Sequence, residues 1–218
     1  MKPTFSFFNN LGMANKNFKS VKFSETVITE LMVPSYANFE GKIHGGIILS
    51  LMDKVAYVCA AKHANAYCVT ASVDTVDFLA AVEMGELVSF HASVNYVGNS
   101  SIVVGIKVVA ENVKKNTVKH TNTSYFTMVA LDDDHKPVTV PGLILESQKE
   151  VLAFIEAVKR KKLKEQFKNN VAMINSTIDI DIEKQLLSEE RCLISYECGQ
   201  DVLSAIYTNS QLYQGEYH

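Results

Sequence analysis

The sequence predicts an α+β domain in which a long antiparallel sheet curls around one buried helix, with a mainly helical extension behind it. Three observations lead there. The stretch Ile47–Ala61, IILSLMDKVAYVCAA, is apolar on every side except for Asp53 and Lys54, the pattern of a helix inside a fold. Four segments after His63 carry strand character, and in two of them apolar and polar residues alternate strictly. Short turns separate these strands, which pairs them antiparallel.

The chain has 218 residues, 47% of them hydrophobic and 21% charged, enough for one good core plus an appendage. The expected division is an N-terminal arm over 1–20, the domain over 21–143 and the extension over 144–218. A net charge of -3 argues against a general nucleic-acid binder, which carries a basic excess. The first residues lack an unbroken apolar signal region, and no run reaches membrane-spanning length, so the expectation is a cytoplasmic protein with no membrane span.

The elements follow in order. Val21–Val33 is rich in β-formers and stops at Pro34, which suggests a first strand. The loop Asn38–Gly46 then feeds the central helix. AYCVTASVDTVDFL suggests one long strand before the turn at Met84-Gly85. In ELVSFHASVNYV, residues Val88, Phe90, Ala92, Val94 and Tyr96 share one face. The turn Gly98-Asn99-Ser100 returns the chain into a strand with Ile102, Val104, Ile106, Val108 and Ala110 on one side. A last strand spans roughly Val118 to Leu131. Beyond Pro141-Gly142 the spacing becomes helical from Leu145 to Asn170, with Lys159-Arg160-Lys161-Lys162 expected to form a solvated face. A short acidic helix around Ile182–Glu190 and a strand at Leu193–Tyr196 are expected after it.

One sheet leaves an all-round apolar helix partly uncovered. The most economical cover is the same element of a second copy, so the sequence predicts at least a dimer.

Asp53 is the residue to explain, because a carboxylate within an apolar helix must be paired, hydrogen-bonded or protonated. Such a group can activate water as a general base, its pKa raised by apolar surroundings. Gly45-Gly46 permits close approach to the backbone, and the first N–H groups of the helix can hold an oxyanion. Asn38 lies 15 residues before Asp53, so two chains could bring the pair around one carbonyl even where a single chain need not. Asn38 as a turn residue and Asp53 as a packing carboxylate remain open readings. His44 could act as acid, base or orienting group, or serve the loop alone.

Other chemistries find little support. The histidines show no HxxxH or HExxH spacing, so no metal site is expected. Cys59, Cys68, Cys192 and Cys198 show no CxxC spacing and are expected to be reduced structural thiols. No GxSxG elbow is present, and Ser50 and Cys59 sit on the apolar helix as packing residues. GxxxxGK[ST] and GxGxxG are absent.

Taken together, NFEGKIHGGIILSLMDKVAYVCAAKH, VTASVDTVDF, the VGNSSIVV hairpin and PVTVPGL resemble the hotdog-fold acyl-coenzyme A thioesterases, specifically the brain-type cytosolic acyl-CoA hydrolases and their small bacterial relatives. The resemblance covers about Val21 to Leu143. It implies a five-stranded antiparallel sheet wrapped around the helix, dimers with two sites at the interface, and trimers of dimers. It also implies hydrolysis of acyl-CoA to free fatty acid and CoA without a cofactor, coenzyme A arriving as part of the substrate. By position it makes Asn38 the catalytic asparagine and Asp53 the catalytic aspartate, one from each subunit. Gly46 becomes the backbone donor that polarises the thioester carbonyl. His44, Gly45, Asn99, Ser100 and Ser101 become substrate-binding positions.

Asp77 stands where relatives commonly have asparagine, Ala80-Ala81 replaces a lysine-proline-like step, and Asn99 occupies a turn position where some carry arginine. A dehydratase or hydratase on the same fold, and a non-catalytic acyl-CoA sensor, are the alternatives. The tail beyond residue 145 has no counterpart in the resemblance.

Overall fold

The alternation in the sequence becomes a five-stranded antiparallel sheet. The computed structural model describes residues 17–177. In chain order these form β1 (Phe18–Ser20), the single helical turn α1 (Val21–Ser24), β2 (Thr26–Leu31), α2 (Gly45–Ala64), β3 (Tyr67–Val73), β4 (Leu87–Val97), β5 (Ser101–Asn112), β6 (Thr117–Leu131), β7 (Gly142–Ile144) and α3 (Gln148–Thr177). The strand order is β2-β4-β5-β6-β3, and β1 pairs separately with β7 in parallel. The expected helix at Ile182–Glu190 and strand at Leu193–Tyr196 lie outside the described residues.

The long helix α2 packs against all five strands on the inner face of the sheet. Ile102, Val104, Ile106, Val108 and Ala110 of β5 are fully buried beneath it, as the alternation requires. On β4 the inner row is Val88, Phe90, Ala92 and Val94. Tyr96 departs from it. A bulge between Val94 and Tyr96 turns that ring to the outer face, where it meets Phe154 of α3 with centroids 5.3 Å apart.

Two strand boundaries differ from expectation. Val21–Ser24 is a helical turn rather than the start of a strand, because Glu25 N–H and Ser24 Oγ both donate to Val21 O and bury Ser24 against His63. The segment after Val73 leaves the ladder. Asp74 N–H still reaches Tyr125 O, but a register shift between Thr70 and Ser72 has already bent the strand.

The helix α3 begins at Gln148 and lies across the outer face of the sheet as far as Glu165. Its basic block is not uniformly solvated. The Arg160 guanidinium stacks 3.4 Å over the Tyr125 ring, and Lys164 pairs with Asp74 at 2.7 Å, while Lys159, Lys161 and Lys162 are exposed. Aromatic side chains on the outer sheet face drew the helix down, which spacing along one segment does not reveal.

Candidate functional site

The loop before α2 is built by Asn38. Its Oδ1 accepts the backbone N–H groups of Glu40 and Lys42, each at 3.0 Å, and Gly41 takes a positive φ of 77° to close the turn. Among the described residues the Asn38 amide N–H2 has no hydrogen-bond partner, and it lies on the exposed side of the loop. An ion pair between Lys42 and Glu83 anchors the loop, and its hydrogen bond to Lys42 holds the Glu83 carboxyl below its ordinary range.

His44 is the N-cap of α2. Its Nδ1 accepts the Gly46 N–H at 3.0 Å, so this donor, expected to be free, is occupied by the imidazole. A Cβ on Gly46 would stand 3.0 Å from that Nδ1, and one on Gly45 would stand 3.3 Å from the Phe78 ring. Both positions are tight because side chains lie against the helix start.

Asp53 corrects the sequence expectation. It is not buried: on α2 the residues Ile48, Met52, Val55, Ala56, Cys59 and Ala60 face the sheet, and Asp53 lies on the exposed side with Gly46, Ser50 and Tyr57. The helix is apolar all round, but in the single chain the sheet covers only part of it. Gly46 and Asp53 are seven residues apart, about 10 Å of helix rise, and side chains lean toward the N-terminus, so the carboxylate tilts toward the glycine.

One partner was missed. Thr70 Oγ1 donates to Asp53 Oδ1 at 2.5 Å. Thr70 follows buried Cys68 by two residues on β3, on the strand face turned to α2, and a polar residue at such a position was the available signal. The single chain joins Asp53 and Thr70 by a hydrogen bond, while the Asn38 side chain bonds only within its own loop among the described residues.

Asn99, Ser100 and Ser101 form the β4–β5 turn. Asn99 O accepts Val140 N–H at 2.8 Å, Ser100 O accepts Ala130 N–H at 2.9 Å, and Ser101 O accepts Gly98 N–H at 2.8 Å. Cys59 and Cys68 are free buried thiols whose burial pushes their pKa values up to about 12 and about 11, outside the range of a working nucleophile. No group of three His, Cys, Asp or Glu side chains suited to a metal ion occurs among the described residues.

The model of the thioesterase superfamily matches residues 40–133, the stretch that holds α2 and strands β3 to β6 of the sheet curled around it. Over 141 residues the chain is 43% identical to protein VdlD of Helicobacter pylori, covering 65% of this chain and 80% of that one. It is 32% identical over 144 residues to the cytosolic acyl coenzyme A thioester hydrolase of Rattus norvegicus, covering 65% of this chain and 38% of that one. Among solved structures, an acyl-CoA hydrolase from Staphylococcus aureus in complex with butyryl coenzyme A, coenzyme A and coenzyme A disulfide superposes with TM-score 0.65 at 32% identity, over 73% of this chain and 99% of that one. An apo-hexameric acyl-CoA thioesterase superposes with TM-score 0.68 at 32% identity, over 70% of this chain and 97% of that one.

The chain belongs to the thioesterase superfamily, among its hotdog-fold acyl-CoA thioester hydrolases.

Proposed function

We propose that the protein hydrolyses fatty acyl-CoA to free fatty acid and CoA at a site completed by two chains. The observation that carries this is Asp53, set on the exposed side of α2 in line with Gly46 and held by Thr70. A lone chain also leaves large apolar side chains open, including Tyr57 one turn from Asp53 on α2 and Phe78 against Gly45. A second copy covering that surface would bury the carboxylate and bring in Asn38 of the partner loop.

Asp53 takes a proton from water as the oxygen attacks the thioester carbonyl carbon. The tetrahedral oxyanion is held by the Gly46 N–H, once the His44 imidazole turns aside, and by the Asn38 amide. Collapse breaks the C–S bond, and the departing thiolate recovers the proton from Asp53. Gly45 admits the thioester closely to the helix start, and the turn Asn99–Ser101 meets the coenzyme A portion.

Structures of the Staphylococcus aureus hydrolase include variants in which an asparagine, an aspartate and a threonine were each replaced by alanine. The asparagine precedes that aspartate by 15 positions and the threonine follows it by 17, the spacing of Asn38, Asp53 and Thr70 here. This spacing supports the assignment. The hexameric neighbour supports a hexamer, which a trimer of dimers would build, and the cytosolic relative supports a cytoplasmic location. Among the described residues no helix is long and apolar enough to cross a membrane.

Thiol release from acyl-CoAs of increasing chain length tests the reading. Wild type should turn over, and Asp53→Asn and Asn38→Ala should each lose roughly 10²-fold or more at equal oligomeric state. Tight acyl-CoA binding by wild type without thiol release would overturn it.

A further inference from the structure

On the face of the sheet opposite α2, a cleft of about 550 Å3 opens between the strands and α3. Its floor is set by register. His91 pairs with Lys107 across β4 and β5, and Lys107 pairs with Thr123 across β5 and β6, so the three side chains form one row on the outer face. Lys149 of α3 stands at its side. Lys107 and Lys149 have no ion-pair partner among the described residues, whereas Lys42, Lys119 and Lys164 are each paired, and the only carboxylate in the lining is Glu25. The cleft therefore carries an excess of uncompensated positive charge.

The next row is Ser93, Gly105 and Tyr125. A buried glycine in the middle of a central strand weakens it and marks close approach by another group. Here a Cβ on Gly105 would come within 2.5 Å of Asn95 Nδ2, so the glycine lets the Asn95 carboxamide lie across the floor. Ser93 Oγ donates to Asn95 Oδ1 at 3.2 Å, which leaves the Asn95 N–H2 to donate elsewhere.

We propose that this cleft binds a small organic phosphate of mononucleotide size, separately from the thioester site on the other side of the sheet. Lys107 and Lys149 supply the charge-assisted contacts, and His91, Asn95 and Thr123 supply directional ones. Val109 and the Tyr125 ring offer apolar surface to the organic portion. The volume falls within the range of small-molecule pockets.

AMP and inorganic phosphate are titrated calorimetrically into the full chain. Wild type should bind AMP, more tightly than phosphate. Lys107→Glu and Lys149→Glu should each weaken AMP binding at least tenfold, while Asp53→Asn binds as wild type. Thioester hydrolysis without AMP should be unchanged in Lys107→Glu, whose side chain is exposed on the sheet face opposite α2. The proposal is overturned if wild type binds no AMP, if both lysine variants bind as wild type, or if Asp53→Asn abolishes binding. Equal affinity for AMP and phosphate would overturn the organic part of the ligand.

Discussion

Asp53 shows how much one hydroxyl contributes. In an exposed setting a carboxylate samples several rotamers, and the 2.5 Å bond from Thr70 Oγ1 selects one. Thr70→Val keeps the shape and removes the donor. It should lower kcat by roughly 10- to 100-fold with KM little changed, and an unaltered kcat would remove Thr70 from the site. His63 has the opposite character. It is fully buried, its Nε2 donates to Pro141 O at 3.0 Å, and its Nδ1 faces Ser24 Oγ at 3.4 Å. Burial is the main cause that holds its pKa below the ordinary histidine value. The unfolded chain therefore binds a proton here before the folded chain does. The stability His63 contributes is complete above about pH 6.5 and declines as pH falls from there toward its lowered folded pKa. Melting temperature measured from pH 8 to 5.5 should fall in acid, and His63→Gln should flatten that slope. An equal slope in both proteins would refute the linkage.

At the scale of elements, α2 and α3 treat the two faces of one sheet differently. α2 packs aliphatic side chains on the inner row, and Ile106→Ala there should cost about 2–5 kcal/mol in chemical denaturation. α3 is held by Ala157 against the sheet, by Phe154 on Tyr96, by Arg160 on Tyr125 and by Lys164 on Asp74. Arg160→Ala should destabilise by about 1 kcal/mol, seen as a lower denaturation midpoint, with kcat unchanged because Tyr125 faces away from α2. A large loss of kcat would mean that α3 reaches the reaction through the sheet.

At the scale of the whole molecule, the proposed site draws on more surface than one chain provides. Tyr57, 40% exposed one turn from Asp53 on α2, meets the ring of Tyr67 on the edge strand β3 in a tilted pair with centroids 6.0 Å apart, and both rings are open in the single chain. Tyr57→Asp should shift the protein toward monomer in sedimentation analysis and abolish thiol release together with assembly. A stronger check mixes two inactive chains. If Asn38 and Asp53 act from opposite subunits, co-refolding Asn38→Ala with Asp53→Asn regenerates one intact site in each mixed dimer, about a quarter of wild-type sites overall. No recovery would place both residues in one chain.

The sequence by itself determined the sheet, its inner rows and the all-round apolar helix, because alternation and helical spacing are local and survive any packing. It also singled out Asn38, His44, Gly46 and Asp53, since glycines and polar residues beside an apolar run stand out without coordinates. Only the tertiary structure decided that Asp53 is exposed in the single chain, that His44 takes the Gly46 N–H, that Thr70 holds the carboxylate, and that Tyr96 turns outward to meet α3. The exposure of Asp53, the Thr70 bond and the outward turn of Tyr96 depend on groups distant along the chain or on a bulge that inverts the face of one residue, whereas the His44 cap is local and depends on the rotamer its ring adopts. An apolar helix announces that it will be covered. Which side the sheet covers is settled only when the strands close around it.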